Sequence, residues 1–197
     1  MTCHFTARMK RSRGQSLVET ALMLPLLIML VLNVVNLGYF FLIAVNLTGA
    51  SRTTTEYAIM GPSTPASSTW PSVGPANGTA AGNLTVTYVA QQDLTGALWN
   101  PTAASVQICS PALGINSGTG LPNCQICSGS SCQTMNSGTT APPSDPEGTF
   151  VLSEVTITYT FNALIPGQIF NIPMQAFSGI CSGSSCTFVR RARMRSM

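Results

Sequence analysis

A run of 32 residues without a formally charged side chain, from Thr20 to Ser51, constrains this chain more than any other feature. It consists mostly of Leu, Val, Ile, Met, Phe and Ala, and about 20 such residues in a helix cross the hydrocarbon core of a bilayer, which is about 30 Å thick. An α-helix also satisfies its backbone hydrogen bonds within one segment, as the membrane interior requires. The sequence therefore predicts one membrane-spanning helix. The alternative is the core helix of a globular protein, which would need a larger domain around it.

The charges on either side of this run predict its orientation. Four cations precede the run, whereas only Arg52 follows it closely; the four are Arg8, Lys10, Arg11 and Arg13. The positive-inside rule then places the N-terminus in the cytoplasm and the rest of the chain outside. A cleaved secretory signal peptide is the competing interpretation, but its apolar region would be about 7 to 15 residues long and would end at a small-residue site. This run continues to Ala44 without such a site, so we expect a retained anchor.

The helix is expected from about residue 16 to residue 60, because Gly61 and Pro62 form a strong stop signal. About 45 residues at 1.5 Å each give a helix of roughly 65 Å. Such a helix is predicted to project well past the bilayer. Pro25 cannot donate a hydrogen bond to the carbonyl of Ala21, so we expect a kink there.

The inventory of catalytic side chains argues against an enzyme. The chain has one histidine, His4, and one lysine, Lys10. Nucleophilic triads need an imidazole, and phosphate-binding Walker loops or Schiff bases need a lysine amine. We therefore expect no catalytic residue, no cofactor and no metal. The net charge of +3 comes from the N-terminal cations, since the other five cations face six acids; the sequence thus predicts no nucleic-acid partner.

A lone carboxylate, Glu19, stands where the apolar run begins, in the segment Arg13-Gly-Gln-Ser-Leu-Val-Glu19. Ser16 and Glu19 have the spacing of a capping box, in which each side chain accepts a hydrogen bond from the other residue's backbone amide. An unpaired carboxylate in lipid is also costly, and such residues are usually paired or functional. Both interpretations of Glu19 are open on the residues alone.

Residues 14–25, Gly-Gln-Ser-Leu-Val-Glu-Thr-Ala-Leu-Met-Leu-Pro, resemble the N-terminal signature of the TadE-like pseudopilins, or minor pilins, of the tight-adherence (Flp) type IV pilus system. The resemblance implies cleavage by a prepilin peptidase after Gly14, with Gln15 as the new N-terminus. It also implies that Glu19 is an assembly carboxylate, which neutralises the free amine of a neighbouring subunit. Thr20 departs from the Glu-Tyr or Glu-Phe pair of the major pilins, which favours a minor component.

The resemblance also implies partners and a location. The partners are the prepilin peptidase, other pilins or pseudopilins, the inner-membrane assembly platform of the pilus and the lipid bilayer. The location is the bacterial inner membrane, crossed once, with the C-terminal module in the periplasm, in the pilus or at the cell surface. The alternative is a stable single-pass periplasmic or surface protein that binds an envelope partner.

The exterior part is expected to give the chain an α+β fold, with a small antiparallel sheet packed on the helix. The domain boundaries are predicted as a leader (1–14), the helix (15–60), a Pro/Gly/Ser-rich linker (61–82) and a β-rich module (83–197). Alternation of apolar and polar residues predicts strands at 84–88, 106–108, 155–161 and 187–194. The third of these, the Leu-Ile-Pro-Gly segment that follows it and the arginine-bearing last strand also resemble the end of TadE-like chains.

Removal of the leader would take Cys3 with it and leave six cysteines in an oxidising compartment, where disulfides persist. The six are Cys109, Cys124, Cys127, Cys132, Cys181 and Cys186. Six thiols allow 15 connectivities, but the repeated segment Cys-Ser-Gly-Ser-Ser-Cys at 127–132 and 181–186 suggests two local loops closed alike, which leaves Cys109 to pair with Cys124. A redox pair at Cys124 and Cys127, or a zinc site with Cys181 and Cys186, are the alternatives.

Overall fold

A computed structural model describes residues 15–60, 70–75, 79–80, 83–135, 150–165, 179, 181–182 and 185–196. Its helices are α1 (Gln15–Met60) and α2 (Val86–Thr95). Its strands are β1 (Thr79–Ala80), β2 (Asn83–Leu84), β3 (Ser105–Cys109), β4 (Cys124–Ser128), β5 (Ser131–Met135), β6 (Val151–Asn162), β7 (Cys181–Ser182) and β8 (Ser185–Ser196). The predicted α+β class is confirmed, and α1 has nearly the predicted bounds.

Six of the strands form one antiparallel sheet in the order β5-β4-β3-β6-β8-β7. Its centre is β6, which pairs with β8 along the whole length of both strands. Side chains alternate between the two faces of a strand, so Val155, Ile157, Tyr159 and Phe161 share one buried face of β6. This face packs against α1, and the helix therefore covers the long central strands of the sheet.

The two halves of α1 have different surroundings. From residue 36 onward, buried side chains recur every three or four residues, which is the spacing of one helix face; they are Asn36, Phe40, Ile43, Leu47, Ala50, Thr54 and Ala58. This face packs on β8, β6 and α2. The long helix thus does not stand free beyond the membrane, because the module is folded along its second half.

An aromatic cluster joins α1 to the sheet. The rings of Phe40 and Phe188 have centroids 4.8 Å apart, and those of Phe161 and Phe188 are 5.7 Å apart. Tyr39 meets Phe161 edge to face at 5.9 Å. Aromatic side chains bury large apolar areas and favour such geometries, so this cluster contributes much of the contact between the helix and the sheet.

The strand predicted at residues 84–88 is wrong, because the chain enters α2 at Val86. Val86, Ala90 and Leu94 are buried at intervals of four residues, which is a helical period. A window that ends at Tyr88 contains only one member of this series. The alternation of apolar and polar residues over five positions was therefore too short to distinguish a strand from a helix.

Residues 70–75, inside the predicted linker, pack against the start of α2. The backbone N–H groups of Val86 and Thr87 donate to the carbonyls of Ser72 and Val73, both at 2.9 Å. These contacts satisfy donors that a first helical turn otherwise leaves without a partner. The hydroxyl of Thr85 caps the same turn by accepting from the Tyr88 N–H at 3.2 Å.

The other predicted strands are confirmed as parts of β3, β6 and β8, and the structure adds a hairpin that the sequence analysis missed. This hairpin joins β4 and β5 through a two-residue turn that begins at Gly129, whose φ is +57°. Glycine adopts that conformation without steric cost. The Ser-Gly-Ser-Ser segment between two cysteines was the available turn signal.

Candidate membrane anchor and assembly segment

Only one side of the predicted processing junction is described by the structure. Gln15 lies in α1, whereas Gly14 lies outside the described residues. Glu19 is exposed in the second helical turn. The helix already includes Ser16, whereas a capping box would place that serine just before the first helical residue. The cleavage and assembly roles of these residues stay predictions.

The first half of α1 is an apolar rod with little protein around it. Every side chain from Leu17 to Ile28 is exposed, and up to Val35 only Met29, Leu32 and Asn33 are half-buried. Only 17% of the most apolar window of this helix is buried, which argues against the core helix of a globular domain. Within the described part of the chain this is the one helix long and apolar enough to cross a membrane, as a single-pass anchor requires. Pro25 lies inside it, and the kink there stays a prediction.

Asn36 marks the point at which α1 meets the module. Its side-chain amide donates to the carbonyl of Ile165 at 3.2 Å, and its side-chain oxygen accepts from the N–H of Ile165 at 3.0 Å. Asn36 is 1% exposed. One buried side chain therefore satisfies both backbone groups of a residue in the loop that follows β6. Sequence analysis missed this contact, since the two residues are 129 positions apart.

A cleft of about 390 Å³ opens beside this contact. Its lining includes Tyr39 of α1, Trp99 from the loop after α2, Tyr159 of β6 and Leu164. Trp99 is 93% exposed and Leu164 is 59% exposed. Burial raises the pKa of Tyr159, and the electrostatic interaction with Tyr39 raises it further. The cleft is thus aromatic, and none of its lining residues carries a formal charge.

The exterior cysteines form three disulfides, Cys109–Cys124, Cys127–Cys132 and Cys181–Cys186. These are the pairs that the repeated segment suggests. Each pair links residues directly opposite one another on neighbouring antiparallel strands. Since all six sulfur atoms are used in these bonds, the structure gives no support to a zinc site or a free redox dithiol.

Glu154 is the buried charge of the module. It is 2% exposed on β6, and its carboxylate contacts Arg193 Nε at 2.5 Å and Arg191 Nε at 3.1 Å. The hydroxyl of Thr156 donates to the same carboxylate at 3.1 Å. A buried charge is tolerated when it is paired and hydrogen-bonded in this way. The sequence signal for this site was the lone acid of one strand opposite an arginine-rich strand.

The part of the chain that resembles known proteins is the helix α1. The model of the TadE-like protein family matches residues 14–60, which is α1 with one residue before it. No curated protein and no solved structure matches the chain. The sheet lies outside the family match, so its resemblance to the ends of TadE-like chains stays a prediction. The TadE-like pilin family is generally non-catalytic, and the likeness of α1 to it fits a membrane-anchored protein related to Tad pili. The chain is thus similar to TadE-like proteins along its N-terminal helix.

Proposed function

We propose that this chain is a minor pilin or pseudopilin, a non-catalytic component of Tad/Flp-type pilus assembly that a prepilin peptidase cleaves after Gly14. The observation that carries the proposal is the long exposed apolar part of α1, which lies within the match to the TadE-like family model. The match begins at Gly14, and every side chain from Leu17 to Ile28 is exposed. A basic segment followed by an exposed apolar helix fits a processed membrane precursor.

The exposed carboxylate gives this rod a chemical role after cleavage. Glu19 lies four residues after Gln15, which is about 6 Å along the helix. Cleavage would create an ammonium group at Gln15, so each subunit would carry one cation and one anion at the same end. An isolated charge in the membrane is costly, and pairing Glu19 with a neighbour's ammonium removes two such charges at once. Assembly is therefore favoured when Glu19 of one subunit and the ammonium of its neighbour lie at the same depth in the membrane.

The rest of the rod supplies the contact surface between subunits. Repeated head-to-tail contacts that do not close into a ring generate a filament. Gly38 is exposed, and a Cβ added there would meet nothing within 4 Å. Small residues on an exposed helix face allow close approach of another helix. The module, folded along residues 36–58, stays at the opposite end of the helix from the Glu19 pairing site.

The test uses Glu19→Val and Glu19→Gln, with Glu56→Gln as the matched control. Glu56 is a half-buried glutamate of the same helix whose carboxylate contacts Arg52 Nε at 3.4 Å. Both Glu19 variants should still be cleaved, whereas their amount in sheared pili, measured by immunoblot against the membrane fraction, should fall severalfold, because the ammonium of the neighbouring subunit loses its partner.

The control variant should assemble like the wild type. Normal incorporation of both Glu19 variants would contradict the assembly role. A chain that remains uncleaved in the membrane of peptidase-competent cells would instead favour a stable single-pass anchor that binds an envelope partner.

A further inference from the structure

We propose that one surface of the module binds lipid. This surface consists of the Leu164–Ile165 turn, Tyr39 and Trp99, and it lies in the outer interface of the bilayer. This inference rests on the membrane anchoring in the proposed function and adds to it the residues that set the depth of the module. The module would then sit on the membrane surface before assembly.

The first argument is the depth of these residues along α1. Thr20 is the first residue after Glu19, and about 20 residues at 1.5 Å each cover a hydrocarbon core of about 30 Å. That count ends at Tyr39. Asn36 lies three residues earlier, about 4.5 Å deeper. Since Ile165 is hydrogen-bonded to Asn36, the turn lies at the outer boundary of the hydrocarbon core.

The second argument is the chemistry of the turn. Irregular backbone at membrane depth is tolerated only where its polar groups are hydrogen-bonded. Asn36 supplies both bonds to Ile165, through an amide that is itself buried. The adjacent Leu164 side chain points its apolar surface outward, with 59% of it exposed. A turn in which both backbone groups of Ile165 are hydrogen-bonded and the neighbouring leucine is exposed suits acyl chains better than water.

The third argument is the aromatic pair beside the turn. Trp99 and Tyr39 line one cleft with Leu164, and no residue of that lining carries a formal charge. Trp99 follows the buried Leu98, whose N–H donates to the Leu94 carbonyl at 2.9 Å, so its backbone is fixed although its ring is 93% exposed. Tryptophan and tyrosine are enriched at membrane interfaces, where an amphipathic ring meets the headgroups.

The experiment uses the two tryptophans of the chain. The purified full chain is reconstituted into phosphatidylcholine and phosphatidylglycerol vesicles whose acyl chains carry bromine, a fluorescence quencher, at shallow or deep positions. Trp70→Phe leaves Trp99 as the only reporter, and Trp99→Phe leaves Trp70 as the matched control. Mapping of the three disulfides verifies the fold of each variant, and Trp70→Tyr replaces Trp70→Phe if that variant misfolds.

Trp99 should lose several times more emission than Trp70, and shallow bromine should quench it most. A tryptophan at position 164, made by Leu164→Trp in a chain without Trp70 and Trp99, should be quenched by deeper bromine. Adding Asn36→Leu should make that reporter shallower, because the turn is no longer held to the helix.

Three outcomes would overturn the inference. Trp99 could be quenched by aqueous iodide and not by brominated lipid, or shielded from both, which would mean that protein covers it. If the chain still floats with the vesicles in either case, the membrane anchor stands and only the proposed lipid-binding surface is refuted. A chain that does not float with vesicles at all would overturn the anchor itself, and the inference with it.

Discussion

The amide of Asn36 is the most specific link between α1 and the module, so Asn36→Leu has a calculable consequence. The substitution removes two hydrogen bonds, of 3.2 and 3.0 Å, to the backbone of Ile165. Each bond contributes about 1 kcal/mol net, and leaving a buried backbone group without a partner adds about 1 kcal/mol or more. The expected loss in the free energy of unfolding is therefore roughly 2–4 kcal/mol.

The assay is thermal unfolding of the full chain in detergent micelles, followed by near-ultraviolet circular dichroism. For a protein of this size the loss corresponds to a fall in Tm of roughly 5–15 °C. Asn46→Leu is the matched control, because the Asn46 amide donates within its own helix, to the Leu42 carbonyl at 2.7 Å. The control should stay within about 0.5 kcal/mol of the wild type. Equal Tm values for the two variants would refute the role assigned to Asn36.

Two further predictions concern the module. A Cβ at Gly74 would lie 2.8 Å from the sulfur of Cys127 and closer still to that of Cys132, so it would overlap their disulfide. Gly74→Ala should therefore lower the free energy of unfolding, measured by chemical denaturation, by about 1–3 kcal/mol. Gly96→Ala, where a Cβ meets nothing within 4 Å, is the control, and equal losses would contradict the contact. Glu154→Gln should cost about 1–3 kcal/mol, because two arginines lose a buried anion. Glu56→Gln, whose side chain is 45% exposed, should change stability by less than about 1 kcal/mol; the same unfolding assay would disprove this if both variants behaved alike.

The features that sequence predicted well are those specified by neighbouring residues. The long helix α1 follows from an uncharged run of apolar residues. The strand around Val155–Phe161 alternates over seven residues, which is long enough for a period of two to be distinctive. The short loop closed by Cys127 and Cys132 follows from a repeated segment. In each case the determining signal lies within a few residues of the structure it specifies.

The features that sequence did not predict depend on distant residues. The start of α2 is stabilised by carbonyls of Ser72 and Val73, more than ten positions earlier. The contact of Asn36 with Ile165 joins residues 129 positions apart. Residues at such separations meet only once distant parts of the chain have packed together. In the assembly segment, the motif at 14–25 predicted the family that α1 resembles. It did not predict how much of α1 the module covers.

Mass spectrometry of the N-terminal peptide, from protein isolated from the membranes of cells that contain the prepilin peptidase, tests the central claim most directly. The account predicts a peptide that begins at Gln15 and its absence in Gly14→Leu, whereas Gly38→Ala, a substitution at an open glycine of the same helix, should be processed normally. A peptide that begins at Met1 in the wild-type protein would contradict the account.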